Sequence, residues 1–203
     1  MRNTTTPQRT KPSQERRDDL MNAAQLLFLD KGASTTTVED ITTGAGVAKG
    51  TFYLYFTSKE HVLGALRERF ARELVRKLDD AVAKAPKKRW DEKLAAWAST
   101  CAAVYFNSRR LHEAIFHESR PPSAEGLTDN LIVDHLTRLL EAGSAAKAWS
   151  VDDPRNAALF LFSGLHGVAG RPNANQTRAD RNAVTQHLER LFFAAVGLGR
   201  APA

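Results

Sequence analysis

Between Thr37 and Phe56 the chain has room for only two short helices. Gly44-Ala45-Gly46 interrupts the helical pattern within about two turns of Thr37, and a second stretch of helical character, Ala48–Phe56, follows at once. Helices this short are marginal in water, so they must be held against a third element. The residues just upstream provide one. Leu20, Ala24, Leu27 and Phe28 recur at helical spacing in a helix that Ser13 can cap and Gly32 stops. Two short helices joined by a tight glycine turn and braced on a preceding helix are the sequence pattern of a helix-turn-helix.

The residues inside the pattern fit that reading. Thr37 is a suitable N-cap, and Asp40 three residues on approaches a capping box. Val47, Phe52 and Phe56 fall where they can pack on Ile41, Leu27 and Phe28, leaving Lys49, Thr51, Tyr53 and Tyr55 outward. Gly50 has no side chain and lets another surface approach the backbone closely. In a helix-turn-helix the second helix enters the major groove of DNA. The formal net charge of +6 agrees with a polyanionic partner. Residues 1–17 carry Arg2, Arg9, Lys11, Arg16 and Arg17 against the single acid Glu15.

The remaining sequence also reads as helix. Ser58 caps a long segment, roughly 59–84, with Val62, Leu63, Leu66, Phe70, Leu74, Leu78 and Val82 near one face. At 1.5 Å per residue it is about 40 Å long, enough to connect two modules. Further helices are expected over about 91–107, 109–117, 127–147, 154–170 and 178–196. Asp153-Pro154 and Thr177 with Asp180 mark the last two starts. No segment alternates with period two between turn dipeptides, so no strands are expected. The expected fold is all-α with about nine helices: a three-helix head, a long connector helix and a C-terminal helical bundle. Residues 1–12 read as a disordered basic tail, 13–58 as the DNA-binding head, and 59–203 as a ligand-binding and dimerisation domain.

Residues 14–60 resemble the DNA-binding domain of the TetR family of bacterial repressors. The resemblance is carried by the run from Ile41 to Phe56, by Ser58-Lys59-Glu60, and by Gly32 and Thr37. It implies that Lys49, Gly50, Thr51 and Leu54 approach bases, while Thr37, Tyr53, Tyr55 and Lys59 grip phosphates. Two departures stand out. Ala48 occupies a position where the family often has serine, removing a cap worth about 1 kcal/mol. Thr42 and Thr43 replace better helix formers. The family also implies a homodimer on an inverted-repeat operator in double-stranded DNA, with recognition helices about 34–36 Å apart. A small-molecule effector would shift the population away from that spacing. Repression and activation read identically in these residues.

Within the bundle, Trp97, Cys101, Tyr105, Phe116, Phe160 and His166 are candidates to line the effector pocket. Phe162, Leu188, Leu191 and Phe192 are candidates for the dimer interface, because Leu159–Phe162 makes its helix apolar nearly all round. Other signals carry less. Gly44–Thr51 ends Lys-Gly-Thr, where a phosphate-binding loop needs Gly-Lys-Ser/Thr after a strand. His112 and His117, near Glu113 and Glu118, do not share a helix face as a metal pair would. Cys101, the lone cysteine, sits on an apolar stripe and reads as a small buried hydrophobe. No catalytic constellation is present, so no enzyme activity, metal or cofactor is expected. No secretory signal or membrane-length apolar run occurs, so a cytoplasmic location and no membrane partner are expected.

Overall fold

A computed structural model describes residues 12–117, 131–171 and 177–198, and all the regular structure among them is helical. The helices are α1 (Ser13–Lys31), α2 (Val38–Gly44), α3 (Lys49–Phe52), α4 (Lys59–Lys84), α5 (Trp90–Asn107), α6 (Arg109–His112, continued by a π turn Glu113–His117), α7 (Leu131–Ala145), α8 (Pro154–Ala169) and α9 (Arg178–Ala195). The chain forms two compact units that divide inside α4, between Arg67 and Glu68. The expected basic tail, 1–12, lies outside the described residues except for Pro12. The expected start of the 127–147 helix also lies outside them.

The first unit is a helical head. Leu20, Met21, Ala24 and Phe28 of α1 are buried with Ile41 of α2, Phe52 of α3, Phe56 and Val62. Arg17 lies over the Phe56 ring at 5.2 Å, a cation–π contact that closes the edge of this core. Two expectations need correction. Ser13 is the first helical residue and Pro12 the cap position, with no side-chain cap bond. The expected helix Ala48–Phe56 is regular only over Lys49–Phe52, and single hydrogen-bonded turns carry the chain on to Phe56. The physical reason is local. Ala48 offers no capping oxygen, and Gly50 is a poor helix former.

The second unit is a bundle. Its most extensive helix pairings are α9 on α5 and α7 on α8, with further contacts between α8 and α9. The α5 stripe of Leu94, Trp97, Ala98, Cys101 and Ala102 is almost wholly inaccessible, as are Val133, Leu136, Leu140, Ala158, Leu165, Leu188 and Phe192. Both expected helix starts are present. Asp153 accepts the amide of Asn156 ahead of Pro154, and Thr177 with Asp180 forms a reciprocal capping box. No described helix is long and apolar enough to cross a membrane. No group of three or more metal-ligating side chains occurs among the described residues.

Candidate nucleic-acid interface

The α1–α2 loop sets the geometry of the head. Gly32 ends α1 at φ +87°, a left-handed conformation that favours glycine. Thr36 turns its hydroxyl back to donate to the Gly32 carbonyl at 2.7 Å. Thr37 then forms a full capping box. Its hydroxyl accepts the Asp40 amide, while its own amide donates to Asp40 Oδ2 at 2.8 Å. Lys31 donates to the same carboxylate oxygen at 2.8 Å. That bond and the Thr37 bonds hold the Asp40 carboxyl well below its ordinary range, at about 2. The capping role of Thr37 was legible in sequence, whereas the Lys31 bridge joins residues nine apart and was not.

The tight turn after α2 behaves as expected. Gly46 has φ +65°, and the Val47 amide returns to the Thr42 carbonyl at 3.0 Å. Beyond it, α3 separates two classes of side chain. Phe52 is buried, and its ring packs edge-on to Tyr53 and tilted to Phe56. On the outside, Lys49 and Gly50 are exposed, Thr51 and Tyr55 are half-buried, and Tyr53 and Leu54 are 55% and 78% exposed. A large apolar side chain so far out contributes nothing to the protomer core, yet the backbone beneath it is fixed by Phe52. A methyl group built on Gly50 would meet nothing within 4 Å, so the fold itself does not require glycine there. Two of the expected contacts bond within the head: the Thr37 hydroxyl also donates to Asp40 Oδ2 at 2.8 Å, and Lys59 is engaged as well. Its ammonium donates inward, to the carbonyls of Ser34 at 3.1 Å and Thr36 at 2.9 Å.

In the second unit the structure divides the expected pocket residues. Tyr105, Phe116 and His166 do come together, joined by His112, Phe162 and Phe70. Ring centroids lie 5.3 Å apart for Tyr105–His166, 4.6 Å for His112–Phe116 and 5.2 Å for His112–His166. The π turn at 113–117 lies in this cluster, and such turns recur at functional sites. The Phe162 carbonyl lies 3.0 Å from His166 Nδ1 and can only accept, so that nitrogen carries hydrogen and Nε2 is the acceptor in the neutral ring. Burial pushes the Tyr105 phenol above its ordinary pKa, leaving it a neutral donor at pH 7. The sequence marks His112 only as a residue that does not share a helix face with His117. The place of His112 in the cluster depends on the α5–α6 turn, which spacing along one helix does not reveal. The side chain of His117, its expected non-partner, lies outside the described residues.

The other three pocket candidates lie elsewhere. Trp97 is fully buried, its ring tilted against Phe192 with centroids 5.7 Å apart. Cys101 is buried one turn further along α5, and desolvation pushes its thiol up to about 12. Phe160 is 72% exposed, so it lines no interior site. The interface candidates need a similar correction. Phe162, Leu188 and Phe192 are spent inside the protomer, where the bundle needs them as core, and only Leu191, at 43% exposure, remains outward.

A short exposed helix, anchored from behind by one aromatic and introduced by a capped helix and a glycine turn, defines a helix-turn-helix DNA-binding regulator. Comparison with known proteins gives the family. Residues 20–66 match the description "Bacterial regulatory proteins, tetR family". The HTH-type transcriptional repressor KstR2 of Mycolicibacterium smegmatis is 44% identical over 54 residues, 26% of each chain, so the match spans about a quarter of that relative's length. The uncharacterized HTH-type transcriptional regulator YfiR of Bacillus subtilis is 31% identical over 155 residues, covering 68% of this chain and 70% of that one. Among solved structures, the fatty acid degradation regulator FadR from Bacillus halodurans superposes with a TM-score of 0.70 at 25% identity, over 96% of this chain and 100% of that chain. The chain belongs to the TetR family.

Proposed function

We propose that this protein is a cytoplasmic transcriptional repressor that binds an inverted-repeat operator as a homodimer and is released by a small-molecule effector. The observation that carries the DNA-binding reading is the outward row on and after α3. Lys49, Gly50, Tyr53 and Leu54 are presented to solvent while Phe52 fixes the helix from behind. In this reading Lys49, Gly50, Thr51 and Leu54 face bases, and Thr37, Tyr53 and Tyr55 contact phosphates. Contacts of the first kind set sequence preference; those of the second set register and overall affinity.

A two-fold dimer requires a two-fold site. Phe160 on α8 and Leu191 on α9 are the large apolar side chains these helices leave exposed, and a second copy would cover them. The Tyr105–His112–Phe116–His166 cluster is the effector site in this reading, because it converges three polar groups within an aromatic surround. The similarity to a fatty acid degradation regulator supports testing fatty-acid derivatives first. Since the chain passes between its two units inside α4, that helix is the covalent route from effector to head.

The test is selection of bound duplexes from a random pool by the purified full-length protein. A dyad-symmetric sequence should be enriched, and Lys49→Ala should change the preferred bases by about 1–3 kcal/mol per lost contact. Enrichment of no symmetric sequence would overturn the dimeric operator reading.

A further inference from the structure

We propose that Lys59 is a positioning residue of the DNA-binding head and not one of its phosphate grips. Its ammonium fixes the α1–α2 loop and thereby sets where α2 begins. The inference rests on the DNA-binding reading above but departs from the role that family resemblance gives this lysine.

Three observations support it. First, the ammonium has three N–H groups, and two are directed at the carbonyls of Ser34 and Thr36, at 3.1 and 2.9 Å. Both acceptors belong to one loop, more than twenty residues upstream. Second, that loop is rigidly specified at both ends. Thr36 is 1% exposed and bonded back to Gly32, and Thr37 is locked in the capping box with Asp40 and Lys31. A bond from Lys59 into its middle therefore joins the start of α4 to a fixed frame. Turning the ammonium outward to a phosphate would strip two carbonyls of charge-assisted partners. Third, Lys59 is the first residue of α4, where the positive end of the helix dipole disfavours a cation. Two carbonyl oxygens offset that penalty. Lys49, in contrast, stands exposed at the start of α3.

Two experiments on the full-length protein test this. The first uses the wild type: reductive methylation of lysines read by mass spectrometry, free and with random-sequence duplex DNA at low salt. Lys59 should react slowly in the free protein and no differently with DNA, while Lys49 reacts fast and becomes protected. If Lys59 reacts as readily as Lys49 in the free protein and is protected only by DNA, the proposal is wrong. If duplex DNA protects neither lysine and does not bind, the DNA-binding reading fails, and the free-protein rates still decide whether the clamp exists. The second experiment measures Lys59→Met affinity for the same duplex across a salt series. Binding should weaken roughly tenfold, the effect of misplacement worth about one hydrogen bond, with the salt dependence unchanged. A slope reduced by about 0.9 for each head is the mark of a lost phosphate contact and overturns the proposal. Unchanged affinity overturns it too.

Discussion

Trp97 donates its indole N–H to Nδ1 of His135 at 3.0 Å, and both side chains are buried. Indole can only donate, so His135 Nδ1 must accept and Nε2 carries the hydrogen. Nε2 in turn meets Asp79 Oδ1 at 3.0 Å, and the relay ties α4, α5 and α7 together across the second unit. Because the acceptor is desolvated, removing the donor strands it. Trp97→Phe should destabilise the protein by about 2–4 kcal/mol, combining an unmet buried acceptor with a small void. In a double-mutant cycle with His135→Leu, urea unfolding should give a coupling of about 0.5–1.5 kcal/mol. Strict additivity would show that the two side chains only fill space.

Gly143 is the seat of the Trp149 indole. A methyl group on its Cα would overlap the ring, and Trp149 cannot retreat without losing its hydrogen bond to the Leu140 carbonyl at 2.9 Å. Gly143→Ala should therefore destabilise by about 1–3 kcal/mol through overpacking, although alanine is the better helix former. Thermal melts check this, and a rise in Tm would refute it.

Asp40 gives the head a predictable acid response. Its bonds to Lys31 and Thr37 lower its carboxyl from the ordinary 3.8 to about 2. A depressed carboxyl stabilises the fold above its unfolded pKa, and the contribution is lost as pH falls toward the folded value. Asp40→Asn should be less stable than wild type at pH 7. The difference should shrink on acidification, chiefly between about pH 4 and pH 2. Melting curves over that range read it directly; a gap that stayed constant would assign the stability to packing.

Gly50 separates folding from recognition. A methyl group there meets no protein atom. Gly50→Ala should leave stability unchanged or raise it by up to about 1 kcal/mol. If bases approach this backbone, the same substitution should weaken specific DNA binding at least several-fold. Equal affinities for the two proteins would place the DNA surface elsewhere on α3.

Cys101 should be inert. Its thiol is buried and held neutral up to about pH 12. A disulfide reagent at pH 8 should label it only after denaturation. Rapid labelling of the native protein would show that the α5 stripe opens.

The sequence alone determined the helical class, the head and most helix boundaries, because those depend on neighbours within a few residues. Gly32, Thr37, Gly46, Asp153 and Thr177 act through their own dihedral angles or through bonds to the next turn, and each was legible. So was the inward Phe52 and Phe56 against the outward Lys49 and Tyr53, since periodicity on a short helix sorts its faces; Leu54 was singled out only by the family resemblance. Tertiary structure decided how each buried or charged side chain was used. Periodicity marks Phe162, Leu188 and Phe192 as apolar, but an apolar stripe looks the same whether its own protomer or a partner covers it, and here its own protomer does. Phe160, two residues before Phe162, is left outside. Lys59 and His135 make the same point for polar groups. Their partners, Ser34, Thr36, Trp97 and Asp79, lie more than twenty residues away. Such bonds exist only once the chain has folded back on itself, so no local pattern in the sequence encodes them.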